Sequence, residues 1–255
     1  MDRFAYTSLN AINERRLARH VFTNELANVS TPGFKKSYEA AMQANKTEGM
    51  GYDTRISPQM EKIERVLLTP GALMVTGSST DIAFKGQTLL GVQAPNGDLA
   101  FTRRGDLRVN LSGVLENGQG HPVIAEGGSP INVPPGFAVN ITPRGEVFAR
   151  DPNLPGVAAE VLVGQLLLRD ASETIIVRRE DGLFESFQNN TRVTGDFPTG
   201  PVPVEVVSGA LEGSNVNPIL ALVKLIDESR SFEQSIKFIR EAKNIDESGA
   251  TMLRG

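Results

Sequence analysis

Apolar residues fall at helical spacing in two stretches, one at each end of the chain. Near the N-terminus Phe4, Leu9, Ile12, Leu17, Val21, Leu26 and Val29 recur three to five positions apart, which predicts a helix over 3–29. The pattern skips at Arg15-Arg16. Near the C-terminus Leu222, Leu225, Ser229, Phe232, Ile236, Ile239, Lys243, Asp246, Ala250 and Leu253 alternate three and four apart. That is the 3.5-residue repeat of a coiled-coil seam, and it predicts a helix over 217–253. Pro218 suits its first turn, and Ser214 and Asn215 are candidate caps. At 1.5 Å per residue the two helices would measure roughly 40 and 55 Å. Both are long for a compact globule.

Between them the period changes. Short β-type runs occupy 63–68, 72–77, 88–94, 98–105, 106–110, 138–142, 161–169 and 174–179, parted by Gly- and Pro-rich turns at 95–98, 127–130, 134–136 and 143–145. No helical period interrupts them. This predicts an α+β protein whose central, mainly antiparallel β-domain is folded as a barrel or sandwich. The expected organisation is an inner helical domain from 1–36 and 209–255, a polar linker over 37–62, and a β-rich outer domain over 63–208. Neither helix can bury its seam on the strands alone. The helices are expected to pair, coiled-coil fashion, with other subunits completing the bundle.

Composition narrows the function by exclusion. The 255 residues carry a net charge of −4 with no basic cluster beyond short pairs, no Cys and no Trp. Nucleic-acid binding lacks its electrostatic footprint, and thiolate metal sites and disulfides are ruled out. No apolar run is long enough to cross a bilayer, so no membrane insertion is expected. Glu14 and four arginines (Arg3, Arg15, Arg16 and Arg19) occupy the first twenty residues, where a cleavable signal would need an apolar core. His20 and His121 stand far apart, without zinc spacing. No phosphate loop, dinucleotide fingerprint or nucleophile elbow occurs. No acid, base and nucleophile converge, so neither a catalytic set nor a cofactor is expected.

The stop of the first helix is the sharpest local signal. In ELANVSTPGFKK (25–36) Asn28 suits a left-handed helix end, Pro32 breaks the helix, Pro32-Gly33 fits a type II turn and Phe34 needs a pocket. Leu26, Ala27, Asn28, Thr31, Gly33, Phe34 and Lys35 match the N-terminal signature of the bacterial flagellar basal-body rod protein family, N-L-A-N-x-x-T-x-G-[FY]-[KR], with Glu25 in place of the first Asn. The stretch at 101–123 is similar to another family segment through Thr102, Arg103, Gly105, Gly113, Leu115 and Gly120. LEGSNVNPI (211–219) resembles the family's junction into its C-terminal helix, and Ile226, Arg230, Phe232 and Glu233 resemble the pattern that follows.

The resemblance implies a structural rod subunit, not an enzyme. Its terminal helices would build the inner tube of a drive shaft that transmits torque. Its partners would be other copies of itself, neighbouring rod proteins and the flagellar type III export apparatus, and its location the basal body in the periplasmic space. The assembly residues would be Leu26, Ala27, Asn28, Thr31, Gly33 and Phe34, with Leu222, Leu225, Ile226, Arg230, Phe232, Ile236 and Ile239. Length and the stretches 1–7, 178–184 and 209–215 point to a proximal-rod member. The alternatives are a distal-rod or hook-type relative, or a secreted β-domain binding module with helical oligomerisation ends.

Overall fold

The computed structural model describes residues 2–38, 43–46, 56–59, 65–151 and 160–252. It divides into two compact units. One takes in 1–27, 39–63 and 217–255, the other 28–38 and 64–216.

The first unit contains α1 (Asp2–Ala27), β1 (Gln43–Lys46), β2 (Ile56–Gln59) and α2 (Pro218–Met252). Helix α1 stops at Ala27, two residues before the apolar pattern does. The expected caps of α2 are corrected. Asn217 Oδ1 accepts the Ile219 and Leu220 N–H groups at 3.0 and 3.1 Å, so Asn217 is the N-cap and Pro218 the first helical residue. The helices pack against each other, with the Lys224 ammonium 5.6 Å from the Phe22 ring. Covered positions on α1 include Ala11, Glu14, Ala18, Val21 and Glu25. On α2 they are Ala221, Lys224, Leu225, Glu228, Ser231, Phe232, Ser235, Ile236, Ile239 and Ala242. Of the expected seam, Leu225, Phe232, Ile236 and Ile239 are covered, while Leu222, Ser229 and Lys243 lie on the exposed side. In the stretch expected to be a linker, β1 and β2 pair antiparallel, Gln43 opposite Gln59 and Lys46 opposite Ile56. The rest of 39–64 lies outside the described residues.

The second unit is all β. Its strands are β3 (Leu73–Val75), β4 (Ile82–Phe84), β5 (Thr88–Gln93), β6 (Leu99–Thr102), β7 (Leu107–Val109), β8 (Leu115–Asn117), β9 (Ala138–Ile141), β10 (Glu146–Arg150), β11 (Val161–Gln165), β12 (Leu168–Asp170), β13 (Ile175–Arg178), β14 (Phe184–Gln188), β15 (Thr191–Val193), β16 (Val206–Ser208) and β17 (Ala210–Glu212). A six-stranded sheet runs β12-β5-β6-β14-β13, with β15 also on β14. A three-stranded sheet runs β11-β10-β9, and β16-β4, β17-β3 and β7-β8 form two-stranded ribbons. Every pairing is antiparallel. The sheets stay open, which corrects the expected barrel: no closed barrel forms among the described residues.

Strand β5 explains why its sequence reads as one apolar run. Leu90 and Val92 point into the larger core with Ile82, Leu115, Val123 and Val147. Leu89 points the other way, into a second core with Phe101, Leu167, Ile176 and Phe184. A strand covered on both faces loses its alternation. The run at 161–169 holds two strands. Between them, buried Leu166 and Leu167 carry the chain from the three-stranded sheet to the six-stranded one.

Candidate assembly site

The site begins at the turn that follows α1. The Thr31 N–H bonds the Asn28 carbonyl at 3.2 Å, and the Phe34 N–H bonds the Thr31 carbonyl at 3.3 Å. Gly33 has φ +70°, the value a type II turn needs at its third residue. Asn28 is absent from the left-handed residues, which corrects that expectation. Its side chain instead accepts a bond from Thr31 Oγ1 at 3.1 Å.

Past the turn the chain enters the β unit. The Gly33 N–H donates to the Glu212 carbonyl at 2.7 Å, the Asn215 N–H to the Phe34 carbonyl at 3.3 Å and the Leu67 N–H to the Lys36 carbonyl at 2.9 Å. Asn215 ties three passes together. Its Oδ1 accepts the Lys36 N–H at 2.7 Å, and its Nδ2 donates to the Leu67 and Thr69 carbonyls at 2.8 and 3.1 Å. With its side chain so engaged, it cannot cap α2. Phe34 is buried under Arg178, whose guanidinium lies 4.5 Å from the ring centre and donates to the Lys35 carbonyl. A cation over an aromatic face, desolvated on both sides, holds the ring in place.

Below the turn sit three buried charges. Glu212 Oε1 accepts Lys35 Nζ at 2.5 Å and the Gly71 N–H at 2.8 Å, and its Oε2 accepts Arg103 Nε at 2.7 Å. Lys35 Nζ also donates to the Thr69 carbonyl at 3.0 Å. Arg103 donates to the Gly86 and Phe84 carbonyls at 2.6 and 2.8 Å. All three side chains are at most 1% exposed. One carboxylate thus answers two cations. Arginine keeps its proton in proteins, so the lysine is the group that yields. Burial, then the charge of Arg103, lower the Lys35 pKa to about 8, against the raising effect of Glu212. A Cβ added at Gly33 would lie 2.6 Å from Arg104 N and closer still to the Arg103 carbonyl. The glycine is what lets the turn settle on this pair.

The expected assembly residues divide between the units. Thr31, Gly33 and Phe34 stand in the β unit around the cluster, as does Asn28 at its entrance. Leu26 and Ala27 close α1. Leu225, Phe232, Ile236 and Ile239 are half-buried along α2, whereas Leu222, Ile226 and Arg230 are exposed. Sequence reasoning missed Lys35, Arg103, Glu212 and Asn215 as one site. Each lies inside a stretch that carries the family resemblance, but Lys35 and Glu212 are 177 positions apart, and no periodicity joins them. The structure brings all three stretches (31–35, 102–105 and 211–215) to one place. Outside them, α2 presents Ile219, Leu222, Ile226, Phe238, Ile245 and Met252, each 46–83% exposed. Among the described residues no group of acidic or histidine side chains could hold a metal ion, and no helix is long and apolar enough to cross a membrane.

The latch is built from buried charges in the β unit, and α2 keeps an apolar side uncovered. Comparison with known proteins gives the class. The model of the flagellar hook protein FlgE/F/G D1 domain matches residues 83–149, and that of the flagellar basal body rod FlgEFG protein C-terminal region matches 207–252. The chain belongs to the flagellar basal-body rod protein family.

Within that family its likeness is to the rod protein FlgF. It is 35% identical to FlgF of Salmonella typhimurium over 240 residues, 94% of this chain and 93% of that one. It is 34% identical to FlgF of Escherichia coli K12 over 239 residues, with the same coverage. FlgG of Buchnera aphidicola is 29% identical over 253 residues, 92% of this chain and 93% of that one.

Proposed function

We propose that this chain is a proximal-rod subunit whose α1 and α2 pair as a coiled coil and join the helices of other copies and of neighbouring rod proteins. The β unit stays outside this tube, and the work done is mechanical: torque passes through packed helices, with no catalysis and no cofactor. The site of action is the periplasmic part of the basal body, reached through the flagellar export apparatus.

The observation that carries this reading is the uncovered side of α2. Ile219, Leu222 and Ile226 form one exposed apolar stripe at spacings of three and four, and Phe238, Ile245 and Met252 form another at spacings of seven. A surface helix turns its apolar stripe inward, so a helix with apolar residues on a second side asks for a second neighbour. Leu26, Ala27, Leu225, Phe232, Ile236 and Ile239 would set the pairing within the subunit. Leu222, Ile226 and Arg230 would face other subunits. The turn at Asn28, Thr31, Gly33 and Phe34 would fix where the inner helix gives way to the outer domain.

The test is a Leu222→Asp, Ile226→Asp variant. Both residues are 46–51% exposed, so the isolated protein keeps its fold and its hydrogen-exchange protection. Cells carrying it are expected to lose motility, and purified basal bodies to lack the subunit. Normal incorporation of the variant would overturn the reading.

A further inference from the structure

Strand β3 is unusual for the edge of a small sheet. Leu73, Met74 and Val75 are 61%, 46% and 88% exposed, so neither face of the strand is covered. Among the described residues its one strand partner is β17, with Leu73 opposite Glu212, Met74 opposite Leu211 and Val75 opposite Ala210. Just beyond the ladder the Gly213 N–H bonds the Ala72 carbonyl at 2.8 Å, and the Thr76 N–H bonds the Gly209 carbonyl at 2.9 Å. Bonded pairs in an antiparallel ladder recur every second residue. Ala72, Met74 and Thr76 therefore face β17, and the N–H and C=O groups of Leu73 and Val75 face outward. Soluble proteins protect such edges with charge, proline or a bulge. None of these stands at 73–75, and the two outward residues are Leu and Val.

We propose that two free subunits pair through this edge, β3 against β3 of a second copy, in antiparallel register about Met74. The geometry selects this occupant because the edge is complementary to itself. With Leu73 opposite the second copy's Val75, and Val75 opposite its Leu73, both are bonded pairs. All four outward groups of each strand then find partners: two N–H and two C=O on each side. Met74 meets Met74 as the non-bonded pair, where Cα atoms approach to about 4.5 Å. The result is a four-stranded sheet, β17-β3-β3-β17. Leu73 and Val75 of the two copies meet on one face and the two Met74 side chains on the other. Three residues on each strand fall short of the roughly 1,200 Å² that a stable interface buries, so the pair forms at high local concentration. A twofold contact closes on itself and stops at the pair, and the proposal does not rest on the rod reading above.

The chain contains no cysteine, which makes the test clean. A Met74→Cys variant places two thiols at a separation that a disulfide spans without backbone movement. Under mild oxidation it is expected to give a covalent dimer whose yield rises with protein concentration. A Leu111→Cys control, at a fully exposed site, should give at least about tenfold less, because only chance collision joins it. Adding Val75→Lys to Met74→Cys should cut the dimer at least about tenfold. With Val75 88% exposed, that change leaves the fold and its circular dichroism intact. Equal cross-linking of the two single variants, or a yield indifferent to Val75→Lys, would overturn the proposal. Either failure leaves the rod reading standing, since that is read from incorporation of α2 variants into basal bodies.

Discussion

Replacing Glu212 with Gln keeps the shape of the side chain and removes the one negative charge in the buried cluster. Lys35 and Arg103 then face each other across 0% exposed side chains. Withdrawing one member of a buried ion pair costs roughly 3–5 kcal/mol, because the remaining charge stays desolvated. Lys35 limits the loss. Its pKa already sits at about 8, and Glu212 is what raises it against burial and Arg103. Without the carboxylate that pKa falls further, so the amine sheds its proton more readily, which holds the cost at about 3 kcal/mol. The pH dependence has a definite sign. The folded pKa lies below the ordinary 10.5, so the unfolded chain binds the extra proton. Native stability therefore rises between about pH 8 and 10.5, by up to roughly 1.4 kcal/mol per unit. In the variant the rise begins at a lower pH. The difference between the two proteins is largest on the acid side, shrinks toward pH 8 and is flat above it. Hydrogen exchange of core amides in β5 and β6 at several pH values measures this directly, free of any helical signal. A loss under about 1 kcal/mol at pH 6 to 7, or one that widens above pH 8, would refute the reasoning.

Two further substitutions address the same region. Lys35→Met leaves the Arg103–Glu212 pair balanced, so it should cost less than about 1.5 kcal/mol and abolish the alkaline rise in stability, read by the same exchange experiment. Gly33→Ala combines a left-handed backbone with overlap on the Arg103 carbonyl, and should destabilise the β unit by about 3 kcal/mol or more. Gly182→Ala, at φ +83° with open space around it, should cost only about 1 kcal/mol, and urea titration ranks the two.

Local chemistry was legible in the sequence to the extent that it was local. An end of the first helix ahead of Pro32, the positive φ at Gly33 and the first-turn Pro218 follow from residue geometry alone, and the structure has them, with the helix ending at Ala27. Errors arose where tertiary partners compete for a side chain. Asn215 reads as a cap, yet Lys36, Leu67 and Thr69 take it, and Asn217 caps α2 instead. Asn28 has the backbone tolerance for a left-handed turn but meets Thr31 first. The run at 161–169 reads as one strand because two strands in different sheets are joined by buried leucines, and hydropathy does not mark the change of sheet. The strand at 146–150 carries charge at both ends, and that at 184–188 has a buried glutamate, Glu185, and a buried Ser186. Neither shows a plain β pattern. The charge cluster could not be read at all. Each member looks like an ordinary surface residue until the fold sets it beside the other two.

The β unit opens at residue 28 and closes at 216, with its first and last strands of chain hydrogen-bonded side by side. A polypeptide emerging N-terminus first must hold Gly33, Phe34 and Lys35 without their partners until some 177 further residues have followed. Contacts this distant in sequence bear a large loop-closure entropy and make folding slow. The turn that looks like the start of the domain is thus among the last parts of it to settle. An incomplete chain, lacking Glu212 and Asn215, carries two unanswered cations where the native protein carries a latch. Completion of the chain and closure of the domain become the same event.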